Sequence, residues 1–289
     1  GGKNNLLWYM NQFSFRQPWT GDNAFLRFHV ERAAVASEAL NRPTMRSGYD
    51  QVVPLPRRWG RSVAPQQVDI HRPRKWLLSF RGTVQNSGTP YYQHRWLAAT
   101  YWEDAADILV DVACKDVVSW WRVLFSKQKK ITTKQYSLPN DSYVDLMWNS
   151  TFGFAPGGSG VSSYRFSEML STATIPVVVA DDMVPPFHPE IDWSGCIVRV
   201  SEARIVDLPR ILRAISTSEI AARQVRCWQL HEIVFGEKRI GSQNGGVWKD
   251  DPRVTFTLAM EIWAARVSHA ILAARSMEAL QYHSNDGSV

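Results

Sequence analysis

The sequence predicts an α/β protein with parallel sheets, organised as two halves, on three observations. Short apolar runs alternate with amphipathic stretches along most of the 289 residues, the pattern of β-α-β units. A polar, lysine-bearing segment, Lys127–Asp141, ends in Pro-Asn-Asp and reads as a linker between two such series. A glycine-rich turn, Pro156–Gly160, stands between an apolar run and a helical one.

Taken in order, Leu6–Met10 reads as a buried strand. Phe25–Leu40 reads as a helix, because Phe25, Phe28, Ala33, Ala36 and Leu40 recur at helical spacing. Gln51–Leu55 is a strand stopped by Pro54 and Pro56. Lys75–Phe80 is a strand, Tyr91–Asp104 a helix and Ile108–Ala113 a strand. Beyond the linker, Tyr143–Asn149 is a short helix, Thr151–Ala155 a strand and Ser162–Ala173 a helix. Ile175–Ala180 and Cys196–Val200 are strands, with a helix at Leu208–Ile215. Two long helices close the chain, Ser218–Phe235 and Arg253–Tyr282. The second carries Phe256, Met260, Trp263, Val267, Ile271, Ala274 and Leu280 as the stripe expected to pack on the body. The expected division is 1–142, 143–235 and a helical extension, 236–289.

Composition narrows the function classes. A hydrophobic fraction of 45% with 21% charged residues is a globular balance. The net charge of +6 suits an anionic partner, but the charge is scattered. No basic face interleaved with aromatics points to nucleic acid. Cys114, Cys196 and Cys227 form no C-x-x-C pair, so a cysteine-held metal is not expected, and an odd count leaves the redox compartment open. No apolar run approaches the roughly 20 residues of a membrane helix. The chain opens Gly1-Gly2-Lys3 without a leader and runs directly into a strand. A preceding portion, with any membrane anchor, is therefore expected to lie outside it.

The chemistry concentrates at Thr151–Glu168, TFGFAPGGSGVSSYRFSE. Gly157, Gly158 and the turn around Ser159 allow backbone amides to approach a ligand closely. A helix opening at Ser162 or Ser163 adds free N–H groups and a partial positive charge. This turn is neither a Walker loop nor a dinucleotide fingerprint. Arg165 and Glu168 stand one turn apart on the same helix. Arg165 suits a phosphate and Glu168 a ribose diol; an exposed ion pair is the plain alternative.

The residues from Phe152 to Val200 are similar to the exostosin family, glycosyltransferase family 47. The resemblance rests on Pro156 and Gly158; Ser163, Arg165 and Glu168; Ile175-Pro176-Val177; Asp181-Asp182; Pro186-Phe187; and Ile191-Asp192-Trp193, in that order. Weaker likeness extends to Tyr49–Leu55 and Arg74–Gly82, so that it spans about residues 4–235. It implies a GT-B-like fold of two Rossmann-like halves facing each other across a cleft. The implied reaction is an inverting, metal-independent transfer from a nucleotide-diphosphate sugar to a glycan acceptor, with no further cofactor, in the Golgi lumen. The donor then falls to Gly157, Gly158, Ser159, Ser162, Ser163, Arg165, Glu168 and Asp182, with Arg81 at the cleft edge. The base falls to Asp22, with His71 and Asp50 as rivals. The chain departs from the family pattern at Ser159 and Val84. These favour the alternative of an inactive, glycan-binding or partner subunit in a homo- or hetero-oligomer.

Overall fold

The computed structural model describes residues 6–9, 34–38, 40–58, 65–84, 90–102, 105–114, 142–158, 160–241 and 246–285. Two parallel sheets are built from them. The smaller has the order β1-β2-β3, with β1 at Leu6–Tyr9, β2 at Ala34–Ser37 and β3 at Gln51–Val52. The larger has five strands: β4 (Trp76–Val84), β5 (Ile108–Cys114), β6 (Ser150–Pro156), β7 (Ile175–Val179) and β8 (Val198–Arg199). Their order is β5-β4-β6-β7-β8, all parallel. The α/β, GT-B-like class expected from the sequence therefore holds.

The larger sheet forms where expected because its strands are continuous apolar runs buried on both faces. Leu78, Phe80, Phe152, Phe154, Ile175, Val177 and Val179 are all nearly inaccessible. Phe80 and Trp102 meet the Phe154 ring edge-on, at 5.4 and 5.1 Å between centroids. Helix α1 (Pro90–Tyr101) connects β4 to β5, and α2 (Ser142–Trp148) precedes β6. Helix α3 (Arg165–Leu170) connects β6 to β7, and α4 (Leu208–Arg213) follows β8. Helix α5 (Thr217–Val234) is capped by Ser216, whose hydroxyl accepts from Glu219 N–H at 3.2 Å. Cys196, just before β8, is joined by a disulfide to Cys227 in α5, 31 residues on.

Several expectations change. Ala34–Ser37 is a strand, not the end of a helix. All four residues are buried in the middle of a sheet, and a short buried strand shows the same apolar run as a helix face. Residues 25–33 of the stretch read as that helix lie outside the described residues, as does the linker Lys127–Asp141. The division at 142 runs through one sheet, because β4 and β5 pair with β6 to β8. The break between sheets falls instead between β3 and β4. A hairpin that was not foreseen, β9 (Glu237–Ile240) and β10 (Val247–Asp250), separates α5 from α6 (Pro252–Asn285). Helix α6 packs through Leu258, Ala259 and Ile262, whereas Phe256, placed on the packing stripe, is exposed.

The two sheets are tied together. Phe187 N–H donates to Val52 O at 2.8 Å, and Arg42 N–H to Asp182 O at 2.9 Å. Arg266 of α6 donates to Asp50 O and pairs with Glu190. The final helix thus contacts both halves, as expected. At the carboxyl end of β2, Glu38 is buried and its Oε1 has no hydrogen-bond partner among the described residues. Burial holds its carboxyl above the usual value, against its own backbone and the Ser37 hydroxyl. Both side-chain polar atoms of the nearby Gln51 are likewise buried and unpaired among the described residues.

Candidate functional site

In an open parallel sheet, ligands gather beyond the carboxyl ends of the strands where the strand order reverses. Here the chain passes outward from β4 to β5, then returns to the other side of β4 as β6. The switch point therefore lies between the ends of β4 and β6, at Gly82–Val84 and Pro156–Gly158. The glycine turn singled out from the sequence sits at that crevice.

Arg95 of α1 closes the bottom of it. This buried guanidinium donates to Thr83 O at 2.9 Å and to Gly157 O at 2.8 Å, tying the two strand ends together. Sequence reasoning did not find Arg95. Its signal was a cation just ahead of the apolar run Trp96–Ala99 in the helix that follows β4, where a buried guanidinium needs acceptors to be stable. Gly158 fits closely under the turn. A Cβ there would stand 3.3 Å from Ser162 O and 3.7 Å from the Arg95 guanidinium. The Gly158 N–H is already donated to Gly160 O at 2.7 Å, so this amide is not free for a ligand as the sequence reading supposed.

Arg165 comes to the same crevice from α3. Its guanidinium lies 4.4 Å from the centroid of the Phe80 ring and 5.8 Å from that of Tyr143. It is 3.4 Å from the place where a Cβ on Gly82 would sit. Gly82 is thus required: any side chain would also strike Phe80 at 2.6 Å. Among the described residues Arg165 has no carboxylate ion-pair partner, and the pair with Glu168 weighed as the plain alternative is not made. An arginine stacked on an aromatic ring at a switch point, with no anion of its own, presents a fixed donor fork to a phosphate or carboxylate.

The remaining expected residues are placed differently. Helix α3 starts at Arg165, is six residues long and has no side-chain cap. Ser163 Oγ accepts from Arg165 N–H at 3.3 Å, while Ser162 makes no cap, so the helix-end argument for an anion cradle loses its basis. Glu168 is buried rather than open to the crevice. It accepts from Tyr143 Oη at 2.7 Å and from Arg58 N–H at 3.4 Å. Burial pushes the Tyr143 hydroxyl well above its ordinary value, so it remains the donor of that bond. Arg58 in turn stacks on Tyr164 at 4.0 Å.

Arg81 does not stand at the end of its strand, since β4 runs on to Val84. It faces Asp111 across the β4–β5 register and is neutralised there in a buried ion pair at 3.2 Å. Asp182 is exposed, and its carbonyl serves the contact with Arg42. Asp181 spends its carboxylate on Ser201 Oγ and Glu202 N–H, at 3.1 and 3.2 Å. Ser159 and Asp22 lie outside the described residues. Of the rival bases, His71 is exposed, and Asp50 is held by the Arg46 side chain and by Val35 N–H.

Among the described residues one group could hold a metal: His231, Glu237 and Asp250 offer ligand atoms within 4.8 Å of one another. Arg57 already lies among them, paired with Glu237 and with Asp250 at 2.9 Å, and supplies the positive charge that a cation would bring. None of these residues belongs to the glycine turn.

Comparison with known proteins fits this arrangement. The family model described as the exostosin GT47 domain matches residues 12–215. Exostosin-1 of Drosophila melanogaster is 28% identical over 240 residues, covering 81% of this chain and 30% of that protein. The Exostosin-1 homolog of Caenorhabditis elegans is 27% identical over 235 residues, covering 78% and 58%. Exostosin-1 of Mus musculus is 24% identical over 239 residues, covering 81% and 31%. The chain thus spans about a third of the length of most of these relatives. Among solved structures, TarM covers 91% of the chain and 55% of its own length, at a TM-score of 0.45 and 7% identity. The GtfA/B complex covers 91% of the chain and 46% of its own length, at 0.44 and 12%. With the matched region running from before β2 to past α4 and taking in β2, β3 and all five strands of the larger sheet, the chain belongs to the exostosin GT47 family of glycosyltransferases.

Proposed function

We propose that this chain is the glycosyltransferase domain of an inverting enzyme that moves a sugar from a nucleotide-diphosphate donor to a glycan acceptor. The observation that carries the reading is Arg165. It is stacked on Phe80 at the switch point, beside Gly82, with no carboxylate partner among the described residues. A leaving diphosphate needs fixed positive groups, and a preorganised guanidinium stabilises the charge that develops as the glycosidic bond breaks. Gly157, Gly158, Ser162 and Ser163 are the residues proposed to line the diphosphate, and the bond from Arg95 to Gly157 O supports a fixed turn there. Ser159 and Asp182 complete the proposed donor set, Asp22 is the proposed base, and Glu168 and Arg81 support the elements around it from buried positions.

The transfer is proposed to need no divalent ion. The diphosphate charge meets Arg165, and Asp181 is occupied by Ser201 and Glu202. The Cys196–Cys227 disulfide suits an oxidising compartment and supports a place in the Golgi lumen. Among the described residues no helix is long and apolar enough to cross a membrane.

A panel of sugar nucleotides, screened for binding and for hydrolysis with and without chelator, tests the reading. Binding of at least one nucleotide diphosphate, with hydrolysis or transfer that survives chelation, is expected. Binding without turnover for every donor and acceptor would move the chain to the alternative, a glycan-binding or partner subunit. Turnover lost on chelation and restored by manganese would overturn metal independence.

A further inference from the structure

Where the chain leaves the smaller sheet after β3, two consecutive arginines go to different places. Arg57 is buried. Its N–H donates to Asp250 Oδ2 at 2.7 Å. Its guanidinium pairs with Glu237 and with Asp250, and donates to Trp248 O at 2.9 Å. The chain is thereby fixed to the β9–β10 hairpin at this point. Arg58, the next residue, is exposed. Its own N–H donates to the buried carboxylate of Glu168 at 3.4 Å, so its backbone is held from the other side by α3. Only the Arg58 side chain is left without such an anchor. Its guanidinium lies 4.0 Å from the centroid of the Tyr164 ring. Among the described residues it makes no hydrogen bond and meets no carboxylate.

Tyr164 is the residue before Arg165, and consecutive Cα atoms stand about 3.8 Å apart. The same Glu168 carboxylate that accepts from Arg58 N–H accepts from Tyr143 Oη, and the Tyr143 ring lies 5.8 Å from the Arg165 guanidinium. Two arginines therefore flank the start of α3, one from the segment after β3 and one from the helix itself. Each rests on an aromatic ring, and neither has a carboxylate partner among the described residues. A guanidinium stacked on an exposed ring is held less tightly than one hydrogen-bonded to an anion. Like charges brought to one place are stabilised by an anion that both can reach. A donor diphosphate is such an anion. It gains negative charge as the glycosidic bond breaks, and a single guanidinium meets only part of that charge.

We propose that Arg58 is a second cation for the donor diphosphate, leaving the Tyr164 ring to close on the phosphate oxygens opposite Arg165. This deepens the glycosyltransferase reading above and rests on it. It also gives the paired burial of Arg57 a purpose, since a fixed backbone limits the directions in which the Arg58 side chain can move.

Calorimetric titration of the full chain at low salt tests the proposal. The probes are uridine and guanosine diphosphates, the matching monophosphates and inorganic pyrophosphate. Wild-type protein is expected to bind a diphosphate more tightly than its monophosphate. Arg58→Gln should weaken the diphosphate and pyrophosphate about three- to tenfold, the loss expected for one hydrogen bond at an exposed site. It should weaken the monophosphate less and leave the melting temperature nearly unchanged. Arg58→Lys should recover part of the loss, because it restores the charge without the planar fork. An Arg58→Gln protein that binds diphosphate as tightly as the wild type, while Arg165→Ala does not, would overturn the role of Arg58 and leave the donor reading standing. Equal losses for monophosphate and diphosphate would also overturn it, since a residue that merely supports the fold weakens both alike. Wild-type protein that binds none of the probes would sink the donor reading itself, and the second cation with it.

Discussion

Replacing Arg165 by alanine separates what this residue does for the fold from what it does for a ligand. Its guanidinium is half-buried against the Phe80 ring at 4.4 Å. A cation–π contact of that kind contributes about 0.5–1 kcal/mol. For a domain of this size that corresponds to a fall in melting temperature of about 1–4 °C. The ligand effect should be larger, because a hydrogen bond to a charged group is worth about 1.5–3 kcal/mol. Nucleotide diphosphate affinity should therefore drop by roughly 10- to 150-fold. Arg165→Lys keeps the charge but not the planar fork, and should fall between. Calorimetric titration with uridine and guanosine diphosphates, beside a melting curve for each variant, measures both quantities. An Arg165→Ala protein that binds every nucleotide as tightly as the wild type would remove Arg165 from the donor site. It would also leave the crevice between β4 and β6 without its cation.

Four further outcomes are expected. Gly82→Ala forces a Cβ to 2.6 Å from Phe80, overpacking worth about 1–3 kcal/mol, and should weaken nucleotide binding along with stability because Arg165 rests on the same ring. Glu168→Gln weakens the bonds that this buried carboxylate accepts from Tyr143 and Arg58, and should cost about 1–3 kcal/mol in denaturant unfolding while sparing pyrophosphate binding; unchanged stability would refute the holding role. Opening the Cys196–Cys227 bridge by a double serine substitution releases a loop of 31 residues and should cost about 3–4 kcal/mol in denaturant unfolding, as loop-closure entropy gives. Glu38 has a carboxyl raised by burial, so the stability its neutral form allows is present below its unfolded value and is lost as the pH rises through the folded one. Glu38→Gln should flatten that part of the stability–pH curve, and an unchanged curve would refute the assignment.

Legibility in the sequence followed the range of the contacts. Strands β4, β5, β6 and β7 could be read because each is an apolar run whose burial on both faces is written in its own residues. The glycine turn and Arg165 could be placed because a strand, a turn and a helix are neighbours in the chain. Arg81 could not. Its partner Asp111 is 30 positions on and is met only through the β4–β5 register. Glu168 could not either, since helical spacing puts it near Arg165 while its hydrogen bonds come from Tyr143 and Arg58, elements far away in sequence. The Ala34–Ser37 strand was misread because four small buried residues carry no period of their own. Arg95 was passed over because its purpose, two carbonyls on separate strands, exists only once the sheet has formed.

The interleaved strand order also bears on how the protein can be taken apart. A fragment beginning at residue 143 retains the glycine turn and Arg165, and by sequence alone it resembles a self-contained nucleotide-binding half. It would lack β4, β5 and α1, and with them Phe80, Gly82 and Arg95. Strand β6 would become a bare sheet edge of buried-type side chains, Phe152 and Phe154 among them, with its backbone groups open to any passing strand. Such a fragment is expected to self-associate rather than bind a nucleotide. A cut between β3 and β4 would instead leave all five strands of the larger sheet on one side.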